Sequence, residues 1–272
     1  MRLLTASDIP QVMRLSQAAG WNQTADDWRR LLELEPEGCF GIERDGKVVA
    51  TTTAVCYGRE LAWIGMVLTD PEFRGQGLAS SLMAATLEFL DGRHMQWVKL
   101  DATDMGKDLY RKFGFVDECP VERWSRPGGA AWTANLVAQE VGPPYVPSHE
   151  MDLRAFGADR SRLLASLASG ESTSIPGAGY AMGRPGSNAA YFGPCVADSP
   201  AAAQAFVEWF LARHAGESVY WDLLPESRDA VRIAERFGFQ CARQLVRMAR
   251  GKTRPAAANA QQIYALAGFE FG

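Results

Sequence analysis

The sequence predicts an α/β chain built twice on one plan. Three observations carry this. Strand-like and helical segments alternate along the 272 residues. A strand, a glycine-rich turn and a helix follow one another from Trp63 to Ser80 and beyond. Parts of the first half return, eroded, in the second.

Taken in order, a short strand around Arg2 to Leu4 is followed by Ser7 or Asp8, either able to cap a helix with Ile9, Val12, Met13 and Leu15 on one side. Gly20 ends that helix, and Thr24 caps a second whose apolar face is Trp28, Leu31 and Leu32. Cys39 to Ile42 and Val48 to Tyr57 read as a hairpin around Arg44-Asp45-Gly46-Lys47. The strand Leu61 to Leu68 then runs through Asp70-Pro71 into the turn, and the helix after it carries Leu82, Met83, Leu87 and Leu90 at helical spacing. Trp97 to Asp101 is a further strand, Gly106 to Phe113 a short helix closed by Gly114, and Phe115 to Trp124 the last extended stretch. Periodicity fixes these types of element and leaves their arrangement open.

The turn Arg74-Gly75-Gln76-Gly77 opens a helix, where unpaired N–H groups and the peptide dipoles favour an anion. Glycine lets the backbone approach a phosphate closely, and Arg74 adds a permanent positive charge. A dinucleotide-binding turn is the rival, because Asp101 ends the next strand where a ribose-binding acid would sit. In that fold, however, the glycines come directly off the first strand. Here Asp70-Pro71-Glu72-Phe73-Arg74 intervenes and the strand is not the first.

Arg74-x-x-Gly77-x-Ala79 resembles the coenzyme A signature of the GNAT (GCN5-related N-acetyltransferase) superfamily, and Leu109-Tyr110-Arg111-Lys112-Phe113-Gly114-Phe115 resembles its Leu-Tyr-x-x-x-Gly-Phe element. The resemblance covers about the first 125 residues. It implies two α/β domains, each a mixed, mainly antiparallel sheet flanked by helices, with acetyl-CoA as cosubstrate. The backbone of Met66, Val67 and Leu68 would meet the pantetheine arm, and Arg74, Gly75, Gln76, Gly77, Leu78, Ala79 and Ser80 the pyrophosphate. Tyr110 falls on the family's general acid. Thr103 stands where many members carry a cofactor-contacting Asn, a departure that puts its side-chain contact in doubt. Trp21 and Asn22 lie in the connection that borders the acceptor site in such proteins. The general base stays open: Asp101 and Asp104 are the nearest acids, and a strand-end Asp equally suits a helix cap.

The acceptor expected is the amine of a small molecule. An amine on a protein or peptide, or a non-catalytic acyl-CoA-binding sensor, is the alternative. A net charge of −4 argues against a nucleic-acid partner. The run Arg247, Arg250, Lys252, Arg254 reads as a solvated strand end. Five dispersed cysteines and three separated histidines show no metal-ligand spacing and suit free thiols in a reducing compartment. Met1 to Gln11 has no apolar signal core and no window approaches eighteen apolar residues, so the expectation is a cytoplasmic protein, monomer or homodimer, with no membrane partner.

Domain boundaries are expected at 1–126 for the acetyl-CoA-binding domain, 127–150 for a Pro/Gly-rich linker and 151–272 for the second copy. Tyr191 to Asp198 lies on Trp63 to Asp70, Val219 to Asp222 on Val98 to Asp101, and Glu235 to Phe239 on Arg111 to Phe115. The copy lacks the chemistry. Ser199-Pro200-Ala201-Ala202 replaces the glycine turn, Pro194 stands at Met66 and Ala234 at Tyr110, so one coenzyme site per chain is expected.

Overall fold

Asp45 and Gly46 both take positive φ, 50° and 75°, the backbone of a two-residue hairpin turn whose twist matches its strands. That turn joins β2 (Cys39–Arg44) to β3 (Lys47–Tyr57), which pairs in turn with β4 (Leu61–Thr69). The computed structural model describes residues 1–129, 149–251 and 259–272. Most of the expected linker, residues 130–148, lies outside them, as do Lys252 and Arg254.

Two compact units result, and they do not follow the halves of the chain. The first holds Met1–Glu118, residues 247–251 and Glu270–Gly272. Its remaining elements are β1 (Arg2–Leu3), α1 (Ile9–Ala18), α2 (Ala25–Leu34), α3 (Leu78–Gly92), β5 (Trp97–Ala102) and α4 (Asp104–Lys112). Thr24 caps α2 as expected, through a reciprocal box with Asp27. At α1 the box is one turn earlier, with Thr5 as the cap and Asp8 reaching back to it. Leu78, Leu82, Met83, Leu87 and Leu90 are the buried side of α3, which packs on β2, β3 and β4. At roughly 1.5–3 kcal/mol per buried chain, this helix fastens the turn before it to the sheet.

Residues 247–251 end β11 (Gln240–Gly251) and lie beside β5, Gly251 against Trp97 at one end and Arg247 paired with Asp101 at the other, so the two strands run in opposite directions. Arg247, the first residue of the basic run, is therefore not part of a solvated strand end. Arg247 makes a bidentate pair with Asp101 at 2.9 and 3.1 Å and lies over the Trp63 ring at 4.5 Å, and Arg250 pairs with Asp91. Asp101 does not cap α4 either; Thr103 is the N-cap.

The second unit holds the described residues of Cys119–Val246 and residues 259–269. Helices α5 (His149–Phe156), α6 (Ser161–Leu167), α7 (Pro200–Arg213) and α8 (Arg228–Arg236) accompany β7 (Glu171–Ile175), β8 (Gly179–Arg184), β9 (Ala190–Ala197), β10 (Val219–Leu223) and β12 (Ile263–Ala265). The last strand of the first half, β6 (Val116–Arg126), pairs antiparallel with β10 here. Arg123 on it holds Asp222 at 2.7 and 2.6 Å and lies over Tyr191. This repeats Arg247, Asp101 and Trp63 with the register the sequence repeat assigned. Phe192, Phe206, Phe210, Trp221 and Phe239 fill the core.

Asp101→Asn leaves the buried Arg247 guanidinium with a neutral partner. The expected cost is about 3 kcal/mol or more in urea unfolding. Asp117→Asn, at an exposed pair, is expected to cost less than about 1 kcal/mol.

Candidate active site

The site begins where a ladder stops. β4 and β5 pair in parallel only over Leu61–Trp63 and Trp97–Lys99. Beyond Trp63, no strand among the described residues covers that edge of β4. On its other edge, Thr51 and Thr53 of β3 face Leu68 and Gly65, so β4 spends one extra residue there. The bulge is at Met66, which takes a φ of 49° and whose carbonyl accepts from the Thr51 hydroxyl at 2.8 Å. Met66 and Leu68 are buried and Val67 is half-buried. Their open edge offers amide donors and acceptors of the kind a pantetheine chain requires.

β4 then passes Asp70, which accepts from the Glu72 N–H and pairs with Arg14 at 3.1 Å, and a single 3-10 turn at Pro71–Phe73. Gly75 and Gly77 both sit at φ 76°, where an L side chain costs about 1–2 kcal/mol. The first bond of α3 runs from the Ser81 N–H to the Gly77 carbonyl, 3.0 Å, so the N–H groups of Leu78, Ala79 and Ser80 precede the helical ladder. No side chain caps this end. Arg74 and Gln76 are exposed beside it, and Arg74 has no carboxylate partner among the described residues. Open donors, a positive helix end and an exposed guanidinium that, among the described residues, donates only its Nε, to the Thr69 carbonyl at 3.4 Å, suit a pyrophosphate.

Tyr110 lies on α4, buried against Phe115 with ring centroids 6.2 Å apart. Gly106, one turn earlier, makes room for it: a methyl there would stand 2.7 Å from the ring. Burial pushes the phenol well above its ordinary value of 10, so it stays a proton donor at neutral pH. Its hydroxyl has no hydrogen-bond partner among the described residues. Thr103 offers its carbonyl to Gly106 and Lys107, and its hydroxyl makes no capping bond.

The two acids nearest in sequence are engaged elsewhere. Asp101 is fully occupied as a buried bidentate partner of Arg247, and Asp104 is exposed and holds Lys107 at 2.7 Å. In the connection between α1 and α2, Trp21 is half-buried while Asn22 and Gln23 are buried. Gln23 donates to the Glu270 carboxylate at 2.7 Å. Glu270 carried no signal in the sequence, because 247 residues separate it from this partner.

The second unit has neither feature. Ser199 accepts from the Ala202 N–H and so caps α7 itself. The β9–β10 ladder also stops early, at Phe192 and Trp221, but β12 then occupies the edge, with Ile263 opposite Val196 and Ala265 opposite Cys195. Trp221 Nε1 donates to the Tyr264 carbonyl at 2.7 Å and pins this strand. Ala234 is buried where Tyr110 stands in the first unit. No cluster of metal-ligating side chains, and no helix long and apolar enough to cross a membrane, occurs among the described residues.

Comparison with known proteins agrees with this geometry. Residues 9–115 match the acetyltransferase (GNAT) family and residues 148–265 the acetyltransferase (GNAT) domain. The chain carries two GNAT domains in tandem. It is 30% identical over 162 residues to the uncharacterized N-acetyltransferase YitH of Bacillus subtilis, an alignment that takes in 58% of this chain and 56% of that one. The chain thus spans little more than half the length of that relative. A candidate acetyltransferase from Pyrococcus horikoshii superposes with a TM-score of 0.85 at 22% identity, over 100% of this chain and 95% of that one. A GCN5-related N-acetyltransferase from Sphaerobacter thermophilus does so at 0.65 and 18%, over 94% and 98%. These likenesses fix the fold.

Thr51→Val keeps the shape and removes the donor to the Met66 carbonyl. An increase in instability of about 1–3 kcal/mol in urea unfolding is expected, the cost of an unmet buried carbonyl.

Proposed function

We propose that the chain is an acetyl-CoA-dependent N-acetyltransferase whose first GNAT domain acetylates a primary amine of a small molecule in a ternary complex. The observation that carries this is one strand-turn-helix, β4 to α3, with one edge unpaired beyond Trp63, a bulge at Met66 and an open anion-binding end. Tyr110 stands on the helix that follows the neighbouring strand.

Acetyl-CoA, when bound, supplies an acetyl group activated as a thioester. The N–H groups of Gly75, Gln76, Gly77, Leu78, Ala79 and Ser80, with Arg74, hold its pyrophosphate, and Thr103 occupies the position of the family's cofactor-contacting Asn. The backbone of Met66, Val67 and Leu68 pairs with the pantetheine arm, and an N–H at the bulge polarises the thioester carbonyl. Tyr110 gives its proton to the departing thiolate. Trp21 and Asn22 border the acceptor. The name of the Bacillus relative supports the reaction class. The net charge of −4 is also consistent with a cationic amine as partner.

A sensor that binds acyl-CoA without turnover is the second reading. It needs the turn but has no use for a buried phenol kept protonated.

Thiol release from acetyl-CoA, followed across a panel of primary amines, tests the proposal. Tyr110→Phe is expected to lower kcat by about 100-fold or more with little change in acetyl-CoA affinity. Gly77→Val is expected to weaken acetyl-CoA binding at least tenfold. An unchanged rate in the first variant would remove the general acid, and unchanged affinity in the second would remove the cradle.

A further inference from the structure

We infer that Thr51, on the strand that shares the bulge with β4, is the positioning residue that aims the Val67 N–H at the thioester carbonyl. The inference rests on the acetyltransferase reading above and names the donor and its support, which that reading leaves open.

Met66 takes a φ of 49°. Asp45 and His94 are the other non-glycine residues with positive φ among the described ones, and both are exposed in turns. Met66 lies inside a strand and is buried. A bulky side chain in that region is strained, and such strain persists only where the surroundings hold it. Thr51 supplies the hold. It is fully buried on β3, opposite Gly41 of β2 on one side and Leu68 of β4 on the other. Its hydroxyl donates to the Met66 carbonyl at 2.8 Å. A β-branched side chain has few rotamers, so this bond has a fixed direction.

The consequence follows from the peptide plane. The Met66 C=O and the Val67 N–H belong to one trans peptide and point in opposite directions. A carbonyl drawn to Thr51 sends the Val67 N–H away from β3, toward the edge of β4 that no strand among the described residues covers beyond Trp63. The bulge turns one amide out of the ladder, and the Thr51 hydroxyl replaces the ladder partner of its carbonyl.

The second unit lacks both parts. Its β8–β9 ladder also shifts register, so that Gly193 and Pro194 face Met182 alone. Pro194 has no N–H to turn outward. Ala181, which pairs with the residue after that bulge as Thr51 pairs with Leu68, has no hydroxyl. Donor and support are missing together from the unit whose edge β12 covers.

In the reaction the amine nitrogen adds to the thioester carbon and the carbonyl π pair moves to oxygen, where the Val67 N–H meets the growing charge. Collapse re-forms the C=O bond and breaks the C–S bond. The thiolate takes the Tyr110 proton, and the proton shed by the nitrogen restores the phenol. A donor already fixed by Thr51 needs no reorganisation at that moment.

The test uses the full chain with Thr51→Val and Thr51→Ser, at a temperature where circular dichroism shows each folded. Acetyl-CoA affinity, kcat across a panel of primary amines, and the infrared carbonyl band of bound acetyl-CoA labelled with carbon-13 at the carbonyl are compared. The wild-type band is expected to lie below that of free acetyl-CoA, and Thr51→Val to lose about half or more of this shift. Thr51→Val is expected to lower kcat about tenfold or more with acetyl-CoA affinity within about twofold, and Thr51→Ser, which keeps the hydroxyl, to lose less than about threefold. An unshifted wild-type band overturns the inference without any variant. If Thr51→Val keeps both kcat and the band, if it loses affinity as much as kcat, or if Thr51→Ser does no better, Thr51 serves stability alone and the inference is wrong while the acetyltransferase reading stands. If the wild type binds acetyl-CoA but acetylates no amine in the panel, the proposed function falls and this inference with it.

Discussion

The structure turns on how two parallel ladders end. Parallel strands must be paired or covered along their length, because an exposed row of N–H and C=O groups is costly when buried and adhesive when not. In the first unit β4 leaves β5 after Trp63, and the Met66 bulge lies beyond that point, in the ladder with β3 on the strand's other edge. In the second unit β9 leaves β10 after Phe192, and β12 takes the vacated edge. The same plan thus yields one edge open to a ligand and one closed by the chain itself. The helix ends agree with this division: glycine leaves α3 uncapped, and Ser199 caps α7.

Each unit is also finished by a strand from the other half of the sequence. Residues 247–251 bring Arg247 to Asp101, and β6 brings Arg123 to Asp222. Each acid ends the strand that follows the central helix, and each arginine lies over the aromatic residue of the preceding strand. A buried, bidentate, stacked guanidinium favours Arg over Lys at both places. Delivery of the chain's last residues to β4 follows the same logic. Gly65 and its counterpart Gly193 both lack a side chain where the returning segment passes, Glu270 over the first and Leu266 over the second.

Local chemistry was legible in the sequence. The Asp45-Gly46 turn, the Thr24 cap, the buried face of α3 and the Gly75-x-Gly77 entry to it all depend on residues within a few positions of one another. The repeat was legible too, since Trp63 and Tyr191, and Asp101 and Asp222, play matching parts. What was not legible depends on partners far apart in the chain. Arg247 looked like a solvated strand end because its acid is 146 residues away, and Asp101 looked free for the same reason. The exchange of strands between the two compact units was not legible because no local signal marks a strand as belonging to the other half.

The central claim is that one of the two GNAT domains holds the coenzyme. Calorimetric titration of the full chain with acetyl-CoA, read for stoichiometry, tests it most directly. One site per chain is the predicted result. Two sites of comparable affinity would mean that β12 does not close the second edge, and would contradict the account.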